Sequence, residues 1–226
     1  MGCEVSCPFY VYEQSKVSCE SFSARSLVSL RPRNVEKIKK QESLTEIPLL
    51  QMSDHHKDIL IKHYRGTMLD QKPDIFHKTM LMCMQSSPKI NEIIACQMYC
   101  YRDLTKWPKL NQLCQAQLNF YDRLINVHKL DVYAVSEAVY ALGVIHYRYA
   151  QYGLKPHFLD LWQQNVEQLA TKLKFGDETE KTTFLEALNG LNCYVTSVMN
   201  LAYSRCQMAQ MVTTAKLFHD DKETEP

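Results

Sequence analysis

Val135-Ser136-Glu137-Ala138-Val139-Tyr140-Ala141-Leu142-Gly143-Val144-Ile145-His146 is the stretch from which the fold is read. Val135, Val139, Leu142 and His146 follow one another at i, i+4, i+7 and i+11. That is one face of an α-helix, and a strand would alternate instead. His146 continues an otherwise apolar face, so it is expected to point inward. An imidazole held there needs a partner for its nitrogens. It is either a hydrogen-bonded core histidine or the ligand of a metal.

Helical spacing extends on both sides of this segment. Ser53 and Asp54 offer an N-cap to a helix running to about Tyr64, with Ile59, Leu60 and His63 on one side. Asp74 is the expected cap of the next, with Ile75, Thr79, Met82 and Cys83 expected inward, and Pro88 ends it. Pro108 starts a helix whose expected inward face is Leu110, Leu113, Gln117, Phe120, Leu124 and Val127. Pro156 starts another, carrying Phe158, Leu161, Trp162, Val166 and Leu169. After the Gly176-Asp177 turn, Thr182 or Thr183 opens the last long helix, from Phe184 through Leu188, Leu191, Tyr194, Val195, Val198 and Leu201 to Ala202. Strand-like alternation is not sustained, and the 226 residues contain only six Gly and eight Pro. The expected fold is all-α, with about seven to eight helices over residues 44–211. Residues 1–43 form an expected flexible tail and residues 212–226 a charged one.

Composition narrows the function classes. The chain carries a formal net charge of +1 and 46% apolar residues. Outside its tail it has no basic surplus for nucleic acid. It has no apolar run of the roughly 18 residues a membrane span needs, and its N-terminus has no apolar signal core. Nine cysteines include no CxxC pair, and Cys96 and Cys100 sit at helical spacing, so most are expected to be small buried hydrophobes. No GxSxG, HExxH or phosphate-binding glycine loop occurs, so no enzyme class is specified.

The N-terminus reads Met1-Gly2-Cys3-Glu4-Val5-Ser6. Gly2 with Ser6 fits N-myristoylation, and Cys3 beside it is placed for a palmitoyl chain, with Cys7 in reserve. One myristoyl group binds membranes only marginally, with an association constant of roughly 10⁴ M⁻¹, so a second signal is needed. Arg25, Arg31, Arg33, Lys37, Lys39 and Lys40 stand against Glu36 alone. Near anionic lipid each basic residue adds on the order of 1 kcal/mol; away from lipid the same stretch is a solvated linker. The location expected from these features is the cytoplasmic face of a membrane.

The segment Leu142-Gly143-Val144-Ile145-His146, followed by Tyr152-Gly153-Leu154-Lys155-Pro156-His157-Phe158, resembles the globin family. The ligand-bearing helix of globins often reads LGxxH, and the loop after it GxKPxxF. Pro88-Lys89-Ile90 resembles the proline-started turn between early globin helices. The similarity covers roughly residues 53–211 and is nearest to divergent invertebrate globins, nematode ones included.

The resemblance implies haem, with His146 as the axial iron ligand. It implies pocket positions at Ile94, Leu113, Gln117, Leu142 and Phe158, with Trp162 as a further wall. Lys155 or Arg148 would meet a propionate or remain surface cations. Ile94 stands where the family has a Phe. The distal position falls on Gln117 by helix spacing or on Leu113 by the hydrophobic register, and no His occurs in that helix. Three extra residues follow His146; a register that closes them up puts Tyr149 in the ligand place, whereas the intact LGxxH keeps His146. The implied partners are dioxygen or another diatomic ligand, membrane lipid, and a redox or signalling protein. The competing expectation is a haem-free, globin-shaped interaction module on the membrane.

Overall fold

The computed structural model describes residues 47–95 and 104–220, with side chains for all but 105 and 213–220. Gly2, Cys3 and the basic run from Arg25 to Lys40 lie outside the described residues. Seven α-helices make up the described chain, with no strand among the described residues. The fold is therefore the all-α one expected.

Local chemistry sets the helix ends. Helix α1, Asp54–His63, is capped by Ser53, whose Oγ accepts from the His56 N–H at 3.2 Å. It widens into a π-type turn over Tyr64–Leu69. Helix α2, Ile75–Ser86, stops before Pro88, whose ring disfavours helical backbone in the residue ahead of it. Helix α3, Lys89–Ile94, follows at once. Helix α4, Pro108–Asp122, begins on its proline, where a missing N–H costs nothing, and widens again over Arg123–Val127. Helix α5, Val132–Tyr147, is capped by Asp131, which accepts from the Ala134 N–H at 2.9 Å. A 3₁₀ segment, Arg148–Tyr152, carries it to Gly153, whose φ of 94° closes the turn. Helix α6 is His157–Ala170, and α7 is Glu178–Asp220.

Packing joins distant parts of the chain. Helix α7 is the spine: α5 lies along it most closely, and α1 and α6 also pack on it. Helix α2 is covered by α6 and α4. The rings of Phe76 and Trp162 stack with centroids 6.2 Å apart, and Tyr121 sits 5.3 Å from Phe76 and 5.7 Å from Trp162. Polar ties hold the rim. His63 donates through Nε2 to Glu180 at 3.0 Å, and Lys62 reaches the same carboxylate at 2.6 Å, pinning α1 to α7. Arg65 grips Asp122 with two bonds of 2.7 Å, pinning α1 to α4.

The structure corrects several expectations. The buried face of α4 is Leu110, Cys114 and Tyr121, then Leu124 and Ile125. Leu113, Gln117 and Phe120 are half-buried. Val127, expected inward, is 68% exposed, because the π-type turn adds a residue and rotates the register. Helix α7 opens at Glu178, ahead of Thr182 and Thr183, because Asp177 already accepts the Thr179 N–H at 2.9 Å. It continues to Asp220, past the Met211 where the apolar period fades. Of the described cysteines, Cys83 and Cys114 are buried, but Cys193 is exposed and Cys206 half-buried.

The turn from α4 into α5 is strained. Lys129 and Leu130 have φ of 49° and 56°, in the left-handed region that side chains resist. The strain is tolerated because Leu130 is fully buried and its N–H reaches Leu124 O at 3.0 Å. Lys129 is exposed and makes no such contribution. Replacing Lys129 by Gly removes the strain at the expense of chain entropy, and should stabilise the fold by about 0.5–1 kcal/mol. Denaturant unfolding of Lys129→Gly beside the parent checks this; an unchanged or lowered midpoint contradicts it.

Candidate functional site

The site is built on α5. Its core-facing side is Val135, Ser136, Val139 and Gly143, which are buried. Gly143 is essential to the geometry. A Cβ built there would lie 2.7 Å from both Ala202 Cβ and Met199 O, and 2.8 Å from Met199 Cα. Only a residue without a side chain lets α5 approach the α7 backbone so closely. Further along, Tyr203 donates to Leu154 O at 2.8 Å and fastens the loop after α5 to α7. The carboxyl-terminal turn of α5 is thus held on both sides of His146.

His146 is half-buried, as is Leu142, one turn before it. The ring Nδ1 lies 2.9 Å from Leu142 O. A carbonyl only accepts, so Nδ1 carries the hydrogen and Nε2 carries the lone pair. Burial pushes the imidazole pKa down, against a smaller opposing effect from the Leu142 carbonyl. The neutral ring with a free Nε2 lone pair is the form that binds a metal.

Helices α4 and α5 are not among the principal packed pairs of the described residues. Leu113 and Phe120 on α4 and Leu142 on α5 are half-buried and pack against the core, and Gln117 and His146 are half-buried on the same two helices. Trp162 donates its indole N–H to Gln117 Oε1 at 3.2 Å. An indole N–H can only donate, so the bond fixes the amide orientation and leaves the Gln117 N–H₂ group free to donate elsewhere. Ile94, at the end of α3, is half-buried, and α3 lies against the Arg148–Tyr152 segment. Phe158 is buried in α6. Lys155 and Arg148 are exposed. Tyr149 sits half-buried beyond the helix proper, its ring 6.2 Å from that of Tyr152.

One neutral histidine nitrogen is oriented by a backbone carbonyl, as an axial ligand requires. No group of three or more His, Cys, Asp or Glu able to hold a bare metal ion occurs among the described residues.

Two features carried no sequence signal. Tyr121 occupies a core position yet donates its hydroxyl to Asn192 at 2.7 Å, and burial holds its phenol far above its usual pKa. A cavity of about 520 Å³ lies between the start of α1 and α7, lined by Met52, Ser53, His56 and Glu186 among others. Ser53 Oγ bonds His56 Nδ1 at 2.9 Å while also capping α1, and His56 Nε2 stands 3.6 Å from Glu186. This is a capping arrangement, with the serine committed to the helix.

Gly143→Ala should destabilise the fold by about 1–3 kcal/mol, because the methyl meets backbone that cannot yield. Thermal unfolding checks it, and a neutral effect contradicts the close approach. His146 also sets a pH dependence. Its native pKa is lowered from 6.5, so the unfolded chain binds the proton more readily. Its contribution is full above pH 6.5 and declines as pH falls from there toward the depressed native value. His146→Gln keeps a donor for Leu142 O and should unfold with a shallower acid loss than the parent as pH falls below 6.5. Parallel pH-stability curves for the two contradict this.

The chain matches no protein-family model, no curated protein and no solved structure, so its function is argued from the geometry above.

Proposed function

We propose that this chain is a haem-binding globin held at the cytoplasmic face of a membrane, where it senses oxygen or redox state or passes electrons. The observation that carries the proposal is His146, neutral, oriented through Nδ1 by Leu142 O and left with a free Nε2 lone pair. The number and order of the helices agree with the globin resemblance.

Haem supplies an iron that takes a diatomic ligand or an electron. Every other part is the work of this chain. His146 would hold the iron through Nε2, with Leu142 O fixing the ring against rotation and raising its basicity. Gly143 sets the depth of that histidine by setting the distance between α5 and α7. Ile94, Leu113, Leu142 and Phe158 would form apolar walls that keep water from the iron. Gln117, its carbonyl held by Trp162, would present N–H₂ to a bound ligand.

No helix among the described residues is long and apolar enough to cross a membrane. Attachment is assigned to acyl groups on Gly2 and Cys3, which the sequence pattern supports. An anchor gives an address, and an address suits sensing or electron exchange better than bulk oxygen storage.

Two measurements test the proposal. Purified chain given haem should show a sharp Soret band that is lost or shifted in His146→Ala. A free-haem spectrum, identical in both, would leave a haem-free interaction module and sink the haem assignment. Intact mass of cell-expressed protein should show an acylated Gly2 and a thioester-linked chain on Cys3; an unmodified or acetylated terminus removes the tether.

A further inference from the structure

The last part of α7 leaves the domain. Tyr203 is its last buried residue, and no residue from Ser204 to Val212 is buried. The helix still continues to Asp220, about 25 Å further at 1.5 Å per residue. One side of this extension is held by α5. The Arg205 guanidinium lies 5.7 Å from the Tyr140 ring centroid, the Tyr147 hydroxyl donates to Gln210, and Tyr147 packs edge-on against Tyr203 at 5.2 Å.

The side turned away from α5 is apolar. Met208, Met211 and Val212 are 58%, 61% and 55% exposed, three of the five large hydrophobic residues more than half exposed among the described residues. The same helical spacing continues in the sequence through Ala215 and Phe218. Its charges have one sign. Between Glu186 and Asp220 there is no acid, whereas Arg205, Lys216 and His219 fall inside the extension. A second copy paired along the stripe would bring these like charges together, which disfavours self-association.

We propose that the α7 extension is an interfacial helix that lies on an anionic lipid surface. The methionine and valine stripe enters the acyl boundary, and a stretch without acidic residues meets the anionic headgroups without repulsion. A cationic amphipathic helix too polar to span a bilayer binds in this way. Methionine suits the task, because its unbranched side chain adapts to an irregular apolar surface. The contact does not depend on the acyl groups of the tether, and the two can be tested apart.

The experiment uses the full chain made without acylation, sedimented with vesicles of phosphatidylcholine alone or with phosphatidylserine. The parent should bind the phosphatidylserine vesicles and release them as salt rises. Met208→Glu/Met211→Glu should weaken that binding at least tenfold with unchanged helix content. Val212→Trp should give a blue-shifted tryptophan emission on the same vesicles. Three results would overturn the proposal: no vesicle binding by the parent, binding unaffected by the methionine substitutions because the basic tail alone carries it, or a sedimenting mass of twice 26.4 kDa that those substitutions abolish. The last would assign the stripe to a second copy.

Discussion

The contact between Gly143 and the α7 backbone fixes the structure's most consequential distance. Helix α7 is the spine on which α1, α5 and α6 rest. Helix α5 meets it at a separation only glycine permits. That approach places α5, and with it His146, against the rest of the domain. The helix itself brings Leu142 O to His146 Nδ1 one turn later, and the approach at Gly143 sets how that turn sits against α7. The strained pair Lys129 and Leu130 at one end of α5 and the Tyr203 bond to Leu154 near the other hold the helix to this placement.

The site is otherwise made of residues that are neither core nor surface. Ile94, Leu113, Gln117, Leu142 and His146 are all half-buried. Ile94, Leu113 and Leu142 pack against the edge of the core with part of each side chain uncovered. The interior beyond them is tightly committed: Phe76 stacks on Trp162, Trp162 holds Gln117, and Tyr121 closes onto Asn192. Gln117 is thereby tied to the core through its carbonyl, so its donor end is presented by a rigid support.

Much of this was legible in the sequence because helical spacing and proline positions are local signals. Ile59, Leu60 and His63 bury together as their spacing requires, and Pro88 and Pro108 bound helices where a pyrrolidine must. Phe184, Leu188, Leu191, Val195 and Val198 form the buried row of α7. The rest depends on contacts between distant segments. On α4 the sequence favours Leu113, Gln117 and Phe120 as the inward row, yet Cys114 and Tyr121 are the buried ones, because the tyrosine hydroxyl finds Asn192 some seventy positions away. Val127 is displaced by a π-type turn that no residue type announces. Gly143 reads in sequence as part of a short motif, and its packing role emerges only against Met199 and Ala202.

The central claim is that His146 is held neutral, with hydrogen on Nδ1 and an available Nε2. A ¹⁵N spectrum of histidine-labelled protein, assigned by comparison with His146→Gln, tests it most directly. His146 should show a protonated Nδ1 and a lone-pair Nε2 across neutral pH, and ferric haem should displace the Nε2 signal. A hydrogen on Nε2, or His146 signals unmoved by haem, would contradict the account.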